Sequence, residues 1–196
     1  VTTLEVEALS AGPSRQRTPV PRLPMPQAET VLTVDGLTVG TARADLVIDV
    51  SIEVRASETL CLVGESGCGK SLTCLAAMGL TPESLTRKAG QISFLGDDLS
   101  RLNENQLADI RGRDMAMIFQ DAMAALNPVR RVGMQIAEVL VVHRGLTWRQ
   151  AEKQAIDLLA SVGIADPQSR AKAYPHQLSG GMCQRVMIAM ALACRP

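Results

Sequence analysis

The sequence predicts an α/β protein in which a helical segment interrupts a strand-rich core. A short apolar run at residues 59–63 leads through a glycine-rich stretch into a helical pattern at 71–79, an order typical of a buried parallel strand followed by a helix. Residues 46, 48, 50, 52 and 54 are apolar in strict alternation, which is typical of a half-buried antiparallel strand. Residues 121–178 have helical character. Together these patterns predict a core, an antiparallel β subdomain and an inserted helical subdomain.

The glycine-rich stretch GESGCGKS, at residues 64–71, fits the phosphate-loop pattern G-x-x-x-x-G-K-[ST]. Its glycines allow backbone N–H groups to approach phosphate oxygens, and the following helix adds its positive N-terminal end. Lys70 is expected to reach the β- and γ-phosphates, and the Ser71 hydroxyl is expected to bind Mg²⁺. A glycine-rich turn without a ligand is the alternative, but the flanking strand and helix favour a nucleoside triphosphate site. The predicted binding residues are Gly64, Glu65, Ser66, Gly67, Cys68, Gly69, Lys70 and Ser71.

The composition excludes several classes of protein. Twenty basic and twenty acidic residues cancel, so nothing indicates bulk electrostatic binding to nucleic acid or to anionic lipid. No apolar run reaches the length of about 18 residues that a membrane-spanning helix needs. The five cysteines are scattered and never spaced as CxxC, which favours a reducing cytoplasm over a disulfide framework or a zinc site.

Local patterns predict the remaining elements. Residues 1–29 hold five of the ten prolines and little apolar content, so we expect a disordered arm there. Strands are expected at residues 31–34, 37–39, 46–54, 59–63, 91–95 and 115–119. The strand at 115–119 is expected to be a central strand that is buried on both faces. Helices are expected at 103–112, 132–143, 147–163 and 182–194. Capping boxes are expected at Asn103 with Gln106, and at Thr147 with Gln150.

A second motif, LSGGMCQR at residues 178–185, introduces the last predicted helix. Ser179 is placed as its N-cap, and Gly180 and Gly181 expose backbone amides at the helix N-terminus, which predicts a second anion site. Alone, it could be an ordinary glycine turn. It follows the phosphate loop by about 110 residues, however, with Gln120 at the end of an apolar run between them.

On these residues the sequence resembles the ATP-binding subunits of ABC transporters. Three motifs match in order, at residues 64–71, at 118–128 (IFQDAMAALNP) and at 178–185. The residues around these motifs are similar to those of the oligopeptide, dipeptide and nickel importer branch. That branch carries SLNP and YPHQLSGG where this chain has ALNP at 125–128 and YPHQLSGG at 174–181. The resemblance covers residues 30–196, and it implies an ABC-type P-loop NTPase fold whose helical subdomain spans about 121–180.

The resemblance also implies a function and partners. Gln120 is expected as a catalytic residue that touches Mg²⁺ or the attacking water. Ser179, Gly180 and Gly181 are expected to close on the γ-phosphate held by a second, identical or related subunit in a head-to-tail dimer. The family implies ATP with Mg²⁺, permease subunits in the membrane, an indirect link to a solute-binding protein, no nucleic acid, and a peripheral place on the cytoplasmic side of the cell membrane.

The sequence also departs from the family pattern. No aromatic residue precedes Phe94 to stack on adenine, and Ala122 and Cys183 replace the usual proline and long polar residue. The sequence stops before the strand that carries the Walker B aspartate and catalytic glutamate, so we expect an N-terminal fragment that is inactive as an isolated ATPase. A soluble ABC-type ATPase acting on DNA or ribosomes, or a non-catalytic truncated remnant, are the alternatives to a peptide-importer subunit.

Overall fold

A computed structural model describes residues 29–196. The predicted arm at 1–29 therefore lies, apart from its last residue, outside the described residues. The chain divides into two compact units, one up to Asn103 and one from Glu104 onward. None of the described helices is long and apolar enough to cross a lipid bilayer.

The first unit is an antiparallel sheet with one helix against it. The strands are β1 (Thr30–Gly40), β2 (Asp45–Arg55), β3 (Thr86–Phe94) and β4 (Asp97–Asp98), and the helix is α1 (Lys70–Ala77). The strand order is β2-β1-β3-β4, so β1 is paired on both sides. The two short strands predicted at 31–34 and 37–39 form one continuous strand. Its side chains Val34, Leu37 and Val39 are buried and form the centre of this core.

β2 is a strand as predicted, but its predicted alternation is wrong in the first half. Leu46 and Ile48 are about half exposed, at 50% and 51%, whereas Val47 is 1% exposed. The cause is a register shift at Asp49, whose φ is 51°. One extra residue in β2 forms a bulge, and a bulge moves the side chains before it to the opposite face.

Two predicted strands are absent from the described residues. Neither 59–63 nor 115–119 belongs to a strand, and the only pairing near them is an isolated bridge between Arg111 and Met115. Val63, Ile118 and Phe119 are exposed. A central strand needs hydrogen-bonded neighbours as well as apolar side chains, and an apolar run supplies only the second requirement.

The second unit is helical. Its helices are α2 (Glu104–Ile110), α3 (Ala122–Ala125), α4 (Val132–Arg144), α5 (Trp148–Ser161), α6 (Pro167–Arg170) and α7 (Gly180–Leu192). The predicted capping box of α5 is confirmed: the Gln150 N–H donates to the Thr147 hydroxyl, and the Thr147 N–H donates to the Gln150 side chain.

The core of the helical unit lies between α4, α5 and α7. Ile136, Leu140, Leu159 and Val186 are fully buried in it. The N-terminal end of α4 packs closely on the chain after α6, because the Gly133 N–H donates to the Ala171 carbonyl at 2.9 Å. A Cβ at position 133 would lie 2.7 Å from that oxygen, so only glycine permits this approach.

Candidate functional site

The predicted phosphate loop runs directly into α1. Gly69 is the N-cap of the helix in a left-handed conformation with φ of 96°, and Gly67 has φ of 85°. A Cβ at position 69 would lie 3.0 Å from Cγ2 of Val47 and 3.2 Å from the Leu46 carbonyl oxygen. The backbone angles of Gly69 therefore favour glycine, and a Cβ there would also be crowded by its neighbours. At Gly67 nothing lies within 4 Å of a Cβ position, so the top of the loop is open.

The loop wraps around the ammonium group of Lys70. Lys70 Nζ donates to the carbonyl oxygens of Gly64, at 2.8 Å, and Glu65, at 2.7 Å, and to Sγ of Cys68 at 3.3 Å. These contacts hold a positive charge inside a loop that opens at a helix N-terminus. Such an arrangement attracts a polyphosphate, because charge and backbone N–H groups act on the same anion.

The first turn of α1 presents one hydroxyl and buries another. Ser71 is exposed beside Lys70, whereas Thr73 is buried and its hydroxyl donates to the Gly69 carbonyl at 3.0 Å. The Thr73 contact ties the helix to the last residue of the loop. The Ser71 hydroxyl remains open to solvent and is a hard oxygen donor of the kind that Mg²⁺ prefers.

Gln120 and the start of α7 line one hollow in the helical unit. The hollow has a volume of about 440 Å³. It is lined by Gln120, Asp121, Ala122, Met123, Gly180 and Gln184. Asp121 fixes one wall by capping α3, since its carboxylate accepts from the N–H groups of Met123 and Ala124 at 3.0 and 3.1 Å. The structure thus brings Gln120 and Gly180 to one hollow, a proximity that the local sequence patterns do not predict.

Ser179 caps α7 as predicted. It is extended, with φ of −72° and ψ of 158°, and its hydroxyl accepts from the Met182 N–H at 3.3 Å. Gly180 and Gly181 have no heavy atom within 4 Å of a Cβ position, and neither has a positive φ. Nothing in the described chain requires glycine at these two positions.

Arg185 attaches α7 to the end of α5. Its Nη1 donates to the Val162 carbonyl, and a Cβ at position 163 would lie 2.6 Å from that nitrogen. Gly163 also has φ of 78°. The guanidinium therefore occupies the space beside Gly163 and supplies a donor to a helix C-terminus, where unpaired carbonyl groups collect.

Cys183, one of the departures noted in the sequence, is a packing residue. It is fully buried in the core, and its thiol donates to the Pro175 carbonyl at 3.5 Å. Burial raises the pKa of the Cys183 thiol, which keeps it protonated near neutral pH. A long polar side chain at this position would have to leave the core.

The loop that holds Lys70 at the start of a helix defines the P-loop class of nucleotide-binding proteins. The ABC transporter family model matches residues 47–196, and the chain belongs to that family. The similar solved structures support the same fold. The ATP-binding cassette MJ0796, in a dimeric post-hydrolysis state with ADP and Pi, matches with a TM-score of 0.72 and 23% identity, covering 84% of this chain and 70% of that one.

Sequence relatives are transport ATP-binding proteins. The dipeptide transport ATP-binding protein DppD of Bacillus subtilis (strain 168) is 47% identical over 175 residues, covering 86% of this chain and 52% of the relative. DppD of Escherichia coli (strain K12) is 51% identical, covering 75% and 45%. The oligopeptide transport ATP-binding protein OppD of Salmonella typhimurium is 45% identical, covering 86% and 51%. The chain spans about half the length of these relatives.

Proposed function

We propose that this protein is the ATP-binding and hydrolysing subunit that powers an ABC importer for peptides or similar small solutes. The observation that carries the proposal is the loop of residues 64–69 wrapped around the Lys70 ammonium at the start of α1. The peptide specificity rests on the names of the relatives, which are dipeptide and oligopeptide transport proteins at 45–51% identity.

In this proposal ATP binds along the loop with its phosphates on the N–H groups of residues 64–71. Lys70 exchanges its bonds to the Gly64 and Glu65 carbonyls for bonds to the β- and γ-phosphates. The exposed hydroxyl of Ser71 and the side-chain oxygen of Gln120 would hold Mg²⁺, whose preference for hard oxygen ligands both groups meet. Gln120 would also orient the attacking water.

A second nucleotide-binding subunit, identical or related, would complete the site. Ser179, Gly180 and Gly181 would close on the γ-phosphate of the nucleotide held by that subunit, in a head-to-tail dimer. The open space around both glycines supports this role, because it leaves room for a phosphate group near the N-terminus of α7. The proposed further partners are membrane permease subunits and, indirectly, a solute-binding protein. The protein would act at the cytoplasmic side of the cell membrane, without nucleic acid.

Two experiments test the proposal. Equilibrium titration with MgATP should give saturable binding that Lys70→Ala removes; ATP binding that survives this change contradicts the phosphate-loop assignment. Uptake of a labelled dipeptide should stop in cells that lack the gene and return with the wild-type gene but not with the Lys70→Ala form. Normal uptake in cells without the gene would contradict the transport assignment while leaving ATP binding intact.

A further inference from the structure

Gln135 is one of two buried polar residues in the described chain, the other being Thr73. It lies in the second turn of α4 and is 5% exposed. Its amide is nevertheless fully used. Oε1 accepts from the Asn127 N–H at 2.9 Å, and Nε2 donates to the carbonyl oxygens of Asn127 at 3.0 Å and Arg130 at 2.9 Å.

All three bonds go to the backbone of the loop at residues 127–130, which joins α3 to α4. A buried amide that pairs both backbone groups of Asn127 acts on that residue as a neighbouring strand would. A second link supports the same loop, because Arg130 Nη1 lies 2.6 Å from Glu138 Oε2 on α4. The loop is therefore attached to α4 by one buried amide and one partly exposed ion pair.

The segment held in this way has Gln120 at its other end. Gln120 is followed by Asp121, which caps the single turn of α3. The helix ends at Ala125, and its buried C-cap Leu126 directly precedes Asn127. Because α3 is only four residues long, fixing Asn127 leaves little freedom for the residue that precedes its cap.

We propose that Gln135 is a positioning residue for Gln120: its amide fixes the far end of the 120–127 segment and thereby joins Gln120 mechanically to α4. The inference rests on the proposed function, in which Gln120 touches the nucleotide complex. On binding of MgATP, the restriction imposed at Gln120 passes along α3 to the Gln135 contacts. Without the amide, the P-loop still binds ATP, but residues 121–127 no longer respond together with Gln120 when MgATP binds.

The test is hydrogen exchange of the full 196-residue chain with and without MgATP, beside measurement of the ATP dissociation constant. Gln135→Leu keeps the volume and removes all three bonds. Without nucleotide, we expect the Asn127 amide to exchange about tenfold faster, as expected for the loss of one good hydrogen bond. With MgATP, we expect the slowing of exchange at residues 121–127 seen in the wild type to disappear, with the dissociation constant changed by less than about threefold.

Thr147→Ala is the matched control, because it removes the cap of α5 without touching the loop. It should lower the melting temperature while leaving the MgATP response at 121–127 intact. Glu138→Gln is a milder variant, because it removes only the partly exposed ion pair. It should keep the fold even if Gln135→Leu does not, and it should weaken the MgATP response at residues 121–127.

Four results are decisive. A wild-type MgATP response in Gln135→Leu, or its equal loss in Thr147→Ala, overturns the inference. If the wild type binds ATP but residues 121–127 do not respond, both the inference and the role of Gln120 are wrong. If the wild type binds no ATP, the proposed function fails, and the inference, which rests on it, fails with it.

Discussion

The chain begins two helices with glycine, and the reasons differ. At α1, Gly69 has φ of 96° and no side-chain cap, and a Cβ there would meet Val47. At α7, Ser179 provides a side-chain cap, and the glycines that follow have ordinary angles and open space around them. The fold requires glycine at the first helix start and does not require it at the second.

This difference separates folding from function. Glycine within a helix lowers stability relative to alanine by up to about 1 kcal/mol, and part of this cost applies to glycines in the first turn. The described chain's own packing does not require this cost at Gly180 and Gly181, which agrees with the role proposed for them above. The phosphate loop, in contrast, would need its glycine even without a ligand.

The largest expected effect is on the phosphate loop. Lys70→Ala removes the ammonium held by the Gly64 and Glu65 carbonyls, and should weaken ATP binding by about 2–4 kcal/mol, or about 30- to 1,000-fold. Lys153→Ala, an exposed change of the same charge on α5, is the control. Unchanged affinity in an equilibrium titration of Lys70→Ala would refute the assignment.

The two kinds of glycine should respond oppositely to alanine. Gly69→Ala should destabilise the fold by about 1–2 kcal/mol from backbone strain alone, with more from the contact with Val47. Gly181→Ala should preserve or raise stability by up to about 1 kcal/mol, yet abolish ATP-dependent dimer formation.

Denaturant unfolding and light scattering measure the two outcomes. Gly145→Ala is the control for strain, because position 145 has φ of 64° but nothing within 4 Å of its Cβ. Equal losses of stability in Gly69→Ala and Gly181→Ala would remove the distinction between the two helix starts.

The cap of α7 should make a smaller contribution. Ser179→Ala removes the acceptor of the Met182 N–H and should cost about 1 kcal/mol of unfolding free energy. Ser161→Ala is the comparison. It removes a hydroxyl that donates to the Leu158 carbonyl at the C-terminal end of α5, and it should cost less unfolding free energy. Thermal unfolding of the two variants side by side checks this order, and an equal shift would mean that the Ser179 cap is not formed.

The smallest expected difference concerns the base. No aromatic residue precedes Phe94, and one stacked base is worth about 1–3 kcal/mol. We therefore expect the affinities of ATP, GTP and CTP for the chain to agree within about tenfold. Competition binding measures this, and a strong preference for ATP would show that other groups hold the adenine.

The sequence predicted elements wherever the signal was local. The phosphate loop before α1, the Ser179 cap and the capping box at Thr147 depend on a few consecutive residues, and each has the predicted backbone. The bulge at Asp49 was missed because a strict alternation looks the same with or without an extra residue in the ladder. The strands at 59–63 and 115–119 were wrong because an apolar run supplies side chains for a buried strand but not the hydrogen-bonded neighbours that a strand needs.

The contacts of Gln135 were also outside the reach of local patterns. Gln135 is an ordinary glutamine in the sequence, and only its place among the buried positions Val132, Ile136 and Leu140 of α4 could have marked it. Its three partners follow from how the loop at 127–130 returns to the helix. The spacing of residues along the sequence does not predict such a tertiary contact.

The end of α5 leaves position 185 freer to change over evolutionary time than position 163. A Cβ at 163 would meet only the far end of the flexible Arg185 side chain, which can move aside, but the left-handed φ of 78° favours glycine whatever stands at 185. Loss of the guanidinium leaves the Val162 carbonyl for water. Natural variation should therefore contain glycine at 163 together with many different residues at 185.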